Sequence, residues 1–207
     1  MKRLKRLRRE SRGFAIGSLL FAVGACPGYL GLVGEQATSL TFFIGSIFFT
    51  AAAFIQLRLT GRWQRGAWKS VKDWDDWWSA ASQFIGTLFF NVSTLAALIG
   101  GSAAGHSWRP DALGSILFLV SSGLAISATR HAGELWDPEV RGWWSTWLNM
   151  IGSIAFGASA VAAWVDPSTG QVLNTDWVNL GTFIGAICFM VAALLVKPPR
   201  RELTSSR

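Results

Sequence analysis

Apolar residues along this 207-residue chain are gathered rather than spread. Six blocks, at about 13–33, 39–55, 80–99, 111–127, 145–165 and 177–196, alternate with shorter stretches that carry the charges. A helix needs roughly 20 largely apolar residues to cross about 30 Å of hydrocarbon at about 1.5 Å per residue. The blocks suit that length, the second and fourth being the shortest. Lipid offers the backbone no hydrogen-bond partners, so blocks of this kind are expected to be helices. The pattern predicts an all-α membrane protein with six transmembrane helices. Charged residues fall only at block ends, so an interior free of ionisable side chains is expected.

Composition agrees. Hydrophobic residues make up 51% of the chain and charged residues 15%, against roughly 25% charged in soluble domains. The basic residues have a pattern of their own. Lys2, Arg3, Lys5, Arg6, Arg8, Arg9 and Arg12 precede the first block. Arg58, Arg62, Arg65, Lys69 and Lys72 lie in the second loop, Arg130 and Arg141 in the fourth, and Lys197, Arg200, Arg201 and Arg207 in the tail. Of the 19 basic residues only Arg109 lies elsewhere. Alternate loops are thus basic, so by the positive-inside rule both termini are expected in the cytoplasm. The same charge attracts anionic lipid on the cytoplasmic face, and this accounts for it without nucleic acid. The stretch Val23-Gly24-Ala25-Cys26 resembles a lipoprotein cleavage box. The apolar run continues past Cys26 to Val33, however, so the first block is expected to be retained. Cys26 and Cys188 both lie within blocks and are expected to be small, buried apolar residues rather than a disulfide or metal pair.

One short motif occurs once in each block: glycine, a small residue, Ile or Leu, any residue, then Phe. It begins at Gly17, Gly45, Gly86, Gly114, Gly152 and Gly185 and ends at Phe21, Phe49, Phe90, Phe118, Phe156 and Phe189. Gly17 to Gly45 and Gly86 to Gly114 are both 28 residues apart. Trp77-Trp78-Ser79 stands before Gly86 as Trp143-Trp144-Ser145 stands before Gly152, and Gln83 corresponds to Asn149. These matches predict three repeated helical hairpins at about 13–57, 80–129 and 145–197 within a membrane domain spanning 13–197. A basic arm (1–12), interfacial Trp-rich segments (58–79 and 130–144) and a cytoplasmic tail (198–207) complete the chain. Gly and Phe four apart share a helix face. Helices in lipid associate through close contact at small residues, so the six glycines are expected to be packing positions. The motif resembles the YrhK-like domain of small bacterial membrane proteins. That family has no characterised function, so the resemblance implies a compact inner-membrane module and transfers no catalytic or binding residue.

Polar side chains inside the blocks are the main functional candidates. Gln83, Thr87, Asn91 and Thr94 fall within roughly an 80° arc of one helix. Asn149 and Ser153 sit on the equivalent face of the fifth, and Ser115, Ser122 and Thr129 recur at heptad spacing on the fourth. They are read either as interhelical hydrogen-bond glue or as the lining of a polar path. With no ionisable partner expected inside, glue is preferred. Trp74, Trp77, Trp78, Trp143 and Trp144 are candidate interfacial anchors.

Catalytic chemistry finds little support. His106 and His131 fall on opposite sides of the membrane, and His131, Glu134, Asp137 and Glu139 form a loop cluster beside Arg130 and Arg141. Gly61 and Gly66 have phosphate-loop spacing, but Lys69 stands out of place for a nucleotide. No metal site and no cofactor is expected. The expected role is non-enzymatic, structural, envelope-associated or partner-binding, with a second copy of the chain or another membrane protein as candidate partners. The alternative is a passive channel or small-solute carrier, and a lipid-acting enzyme ranks third. Topology is checked by labelling intact cells with an impermeant thiol reagent. A cysteine at Ser168 should react and one at Ser70 should not; the reverse pattern inverts the orientation.

Overall fold

The computed structural model describes residues 2–60, 71–100, 108–166 and 168–196. Six helices account for nearly all of them: α1 (Lys2–Gly24), α2 (Tyr29–Leu59), α3 (Val71–Gly100), α4 (Trp108–His131), α5 (Arg141–Ala162) and α6 (Thr175–Val196). No strand occurs among the described residues beyond one isolated bridge between Val165 and Val172. Four helices are long and apolar enough to cross a membrane: α2, α3 from Asp73, α4 and α6. The chain is therefore an all-helical membrane protein in class.

Two boundaries differ from the sequence reading. The stretch 1–12, expected to be a separate arm, is helical from Lys2 and continuous with the first apolar block. That block ends at Gly24 rather than Val33, because Pro27 lacks an N–H and Gly28 takes a left-handed φ of 86° that opens the turn into α2, and Cys26, expected to be buried in a helix, is exposed in that turn. α2 then bends at Gly34, where φ is 82° and ψ 170°. The interfacial segment expected at 58–79 divides. Trp63 and Trp68 lie outside the described residues, whereas Trp74, Trp77 and Trp78 occupy the first turns of α3 itself.

Backbone packing closes a ring. α1 pairs with α2, α3 with α4 and α5 with α6; α2 also packs on α3, α4 on α5 and α6 on α1. Consecutive helices are joined end to end, so the ring has a basic end, where α1, α3 and α5 begin, and a far end, where they finish.

Each motif glycine lies where a neighbouring helix leaves no room for a side chain. A methyl at Gly86 would meet Phe118 at 2.8 Å and the Gly114 carbonyl at 3.2 Å. One at Gly114 would meet the Gly86 carbonyl at 3.1 Å and Phe90 at 3.2 Å. The same exchange joins Gly152 with Phe189, Gly185 with Phe156, Gly17 with Phe49 and Gly45 with Phe21. Each helix thus notches its partner's phenylalanine.

The six rings then meet on the ring's axis in two triangles. Phe21, Phe90 and Phe156, from the odd helices, lie 5.8–6.4 Å apart. Phe49, Phe118 and Phe189, from the even helices, lie 5.5–6.5 Å apart. Contacts of 5.0–5.6 Å within each helix pair lock one triangle onto the other. Most are edge-to-face, the arrangement the ring quadrupole favours, at about 0.5–1.5 kcal/mol per pair beyond burial.

Replacing Gly86 or Gly152 by Leu should destabilise by overpacking, on the order of 1–3 kcal/mol or more. Gly123, which has nothing within 4 Å of an added methyl, provides the contrast: Gly123→Ala should leave a detergent melt unchanged or raise it slightly. Wild-type melts for both leucine variants would place the glycines against lipid.

Candidate functional site

The residues just after each motif glycine line the seams between helix pairs. Ser46, Thr87, Ser115 and Ser153 are fully buried and hydrogen-bonded. Ser46 meets Thr94 Oγ1 at 3.0 Å; Thr50 donates to the Thr87 carbonyl at 3.4 Å; Asn91 Nδ2 donates to Thr50 at 2.9 Å. Between α4 and α5, Ser115 donates to the Phe156 carbonyl, Ser153 to that of Phe118, and Ser122 meets Ser153 at 2.8 Å. Thr87, Asn91, Thr94 and Ser153 are therefore engaged between neighbouring helices or with their own backbone, and of these Thr94 also borders the far-end recess on the axis. The third seam differs. Ala186 holds the sixth position and has no hydroxyl, and Ser18 Oγ is buried without a partner. There α1 is tied to α6 by Ser11, which donates to the Ala193 carbonyl at 2.5 Å.

The position three residues before each motif glycine faces the axis instead. On the odd helices these are Phe14, Gln83 and Asn149, which share a recess of about 100 Å³ at the basic end. On the even helices they are Phe42, Asp111 and Thr182, which share one of about 290 Å³ at the far end. Phe189 lines the first recess, and Phe21 and Phe156 the second. The phenylalanine cluster thus stands between them. Of the amides grouped together by sequence, Gln83 and Asn149 meet in one recess, while Asn91 lies in the α2–α3 seam.

The expectation of an interior free of ionisable groups is corrected here. Glu10 lines the basic-end recess and Asp111 the far one, and among the described residues neither recess is lined by a Lys or Arg. Glu10 Oε2 is sealed from solvent with no hydrogen-bond partner, as is Gln56 Oε1 beside it. Burial raises the Glu10 carboxyl to about 7. A periodic signal for this was present. Glu10 stands four residues before Phe14 and seven before Gly17, in phase with the buried face of α1. Counting apolar residues by block missed it, because the block was drawn from Gly13 onward.

At the basic rim, Asp75 accepts from Ser127 at 2.7 Å and meets His131 Nδ1 at 3.1 Å. His131 is held there, outside the nearby recess of about 250 Å³ lined by Asp76, Glu134 and Asp137. A pocket uniting the histidine with these carboxylates is not formed. Among the described residues no three His, Cys, Asp or Glu side chains gather as metal ligands. The tryptophans divide in role. Trp143 is buried and donates to the Leu135 carbonyl, and Trp144 donates to that of Pro138, so both pin the α4–α5 loop. Trp74, Trp78 and Trp144 leave large ring areas exposed.

No family model, curated protein or solved structure matches the chain.

The Glu10 carboxyl supplies a pH test. Its pKa is raised in the folded state, so the fold holds the proton more tightly than the unfolded chain. Stability should therefore fall as pH rises from about 5 to about 8, by at most on the order of 3 kcal/mol from this group. Glu10→Gln should flatten that slope and melt higher than wild type at the alkaline end. Parallel pH slopes for the two proteins in detergent melts would show Glu10 to be solvated.

Proposed function

We propose that this chain is a non-enzymatic integral membrane protein, a closed helical scaffold with a structural or partner-binding role in a bacterial inner membrane. In this reading all six helices cross the bilayer, arise from three copies of one hairpin, and leave both termini in the cytoplasm. The repeated motif supports the duplication and keeps the YrhK-like resemblance as part of the proposal. The observation that carries the closed-scaffold reading is the six-ring cluster. Its contacts fill the axis, so the polar recesses do not form a continuous path. Polar side chains between the helices then act as glue, worth about 0.6 to 2 kcal/mol each.

A second reading has its own support. Two recesses face one another across the cluster, each with one carboxylate and no basic residue among the described residues that line it. This is the arrangement of a small-cation route closed by a hydrophobic constriction. Flux through proteoliposomes separates the two. The scaffold predicts that wild type passes no more glycerol or methylammonium than protein-free vesicles, and that Asn91→Leu lowers the melting temperature while leaving permeability unchanged. Wild-type methylammonium flux that grows in Phe118→Ala and disappears in Glu10→Gln would replace the scaffold by a gated route.

A further inference from the structure

We propose that the basic-end recess binds a primary ammonium group, with Glu10 as its anchor. The inference stands on the recess alone and holds whether the bundle is scaffold or route.

The recess has a surplus of hydrogen-bond acceptors. Glu10 Oε2 and Gln56 Oε1 are both sealed from solvent and unpartnered. Ser11 and Ser145 also line it, but each gives its proton to a carbonyl of α6, at Ala193 and Ala192. Their hydroxyl oxygens keep only accepting capacity towards the recess. A buried carboxylate without a cation or a donor is costly. Arg3, Lys5, Arg6, Arg8, Arg9 and Arg12 lie on the same helix as Glu10, yet none of them is among the described residues that line this recess. Gln56, Gln83 and Asn149 also bring amide N–H donors to the recess, so it is the charge of ionised Glu10, with its unpartnered oxygen, that favours a cationic donor and disfavours anions.

Shape selects among cations. Calcium takes 6–8 oxygen ligands, usually including several carboxylates, and magnesium demands octahedral geometry. One carboxylate, with no cluster of metal-ligating side chains among the described residues, meets neither need. A primary ammonium carries three N–H donors, as lysine does. It can address Glu10, Gln56 and a serine oxygen in turn. Phe14 and Phe189 supply aromatic surface that attracts an organic cation. A volume of about 100 Å³ is well above the roughly 10–15 Å³ needed for one water on the same measure. It suits an ammonium with a stem of a few carbons. Leu7 and Val196 border the recess where α1 and α6 meet. That position is compatible with a free alkylamine or with the ammonium of an ethanolamine lipid headgroup.

Calorimetric titration of the full chain in maltoside micelles, above the pH at which Glu10 ionises, tests this. Ethylammonium should bind saturably, and Glu10→Gln should weaken it tenfold or more without lowering the melting temperature. Sodium and tetramethylammonium, which lacks N–H groups, should not compete. If Glu10→Gln fails to fold, the wild-type infrared carboxylate band should still shift on adding ethylammonium. Vesicles of phosphatidylglycerol with and without phosphatidylethanolamine then identify the source. A wild-type melt raised only by the ethanolamine lipid, and reversed by free ethylammonium, assigns the headgroup; no difference between vesicles assigns a free amine. Absence of saturable binding, equal binding by Glu10→Gln, or equal competition by tetramethylammonium overturns the proposal.

Discussion

The fold depends on an exchange between backbone and ring: each helix removes a side chain at one glycine so that its partner's phenylalanine can reach the axis. Within a bilayer, lipid tails are as apolar as leucine, so helices gain nothing by merely hiding hydrophobic surface. What holds them is contact dense enough to outcompete lipid, and that requires backbones to approach closely. The reciprocal pairs Gly17/Phe49 and Gly45/Phe21, Gly86/Phe118 and Gly114/Phe90, Gly152/Phe189 and Gly185/Phe156 meet this condition three times over. Their rings then converge, and the cluster joins three helix pairs that would otherwise touch only along their seams.

The other features follow from this arrangement. The cluster occupies the middle of the axis, and the side chains beyond it at either end pack on its rim, as Phe14 does on Phe49 and Phe42 on Phe21, without filling the axis. Residues three before the glycines therefore border recesses, and helix direction decides which recess they enter. Gln83 and Asn149, on odd helices, reach the basic end; Asp111 and Thr182, on even ones, reach the far end. The small residue after each glycine points sideways: the hydroxyls of Ser46, Ser115 and Ser153 find a carbonyl or hydroxyl on the next pair, while that of Thr87 donates to Phe84 on its own helix and its carbonyl accepts from Thr50. The α1–α6 seam is the exception. Ala186 offers nothing to Ser18, and closure there passes to Ser11 and the α6 carbonyl of Ala193, beside Glu10.

How much of this could be read beforehand varied with the kind of information involved. The apolar blocks and the recurring motif were legible because both are local: a helix in lipid needs length and apolarity, and a motif needs only its spacing. The faces of α3 were legible as an arc of polar residues, but not the division within that arc. Thr87 and Asn91 lie in the seam with α2, Gln83 borders the basic-end recess, and Thr94 reaches both Ser46 of α2 and the far-end recess; only the neighbouring helices' positions separate them. Glu10 was hidden by treating it as part of a charged arm, although its register with Phe14 and Gly17 placed it on the inward face.

By itself, the sequence determined that the chain is helical, that it belongs in a membrane, and where six glycine–phenylalanine pairs fall along it. These follow from composition and period, which each segment carries alone. Tertiary structure decided that the helices close into a ring, that six rings fill its centre, and that an unpartnered carboxyl ends in a recess with no basic residue among the described residues lining it. Those outcomes depend on which residues from distant segments share one depth and one direction, and no segment specifies that until its neighbours are in place.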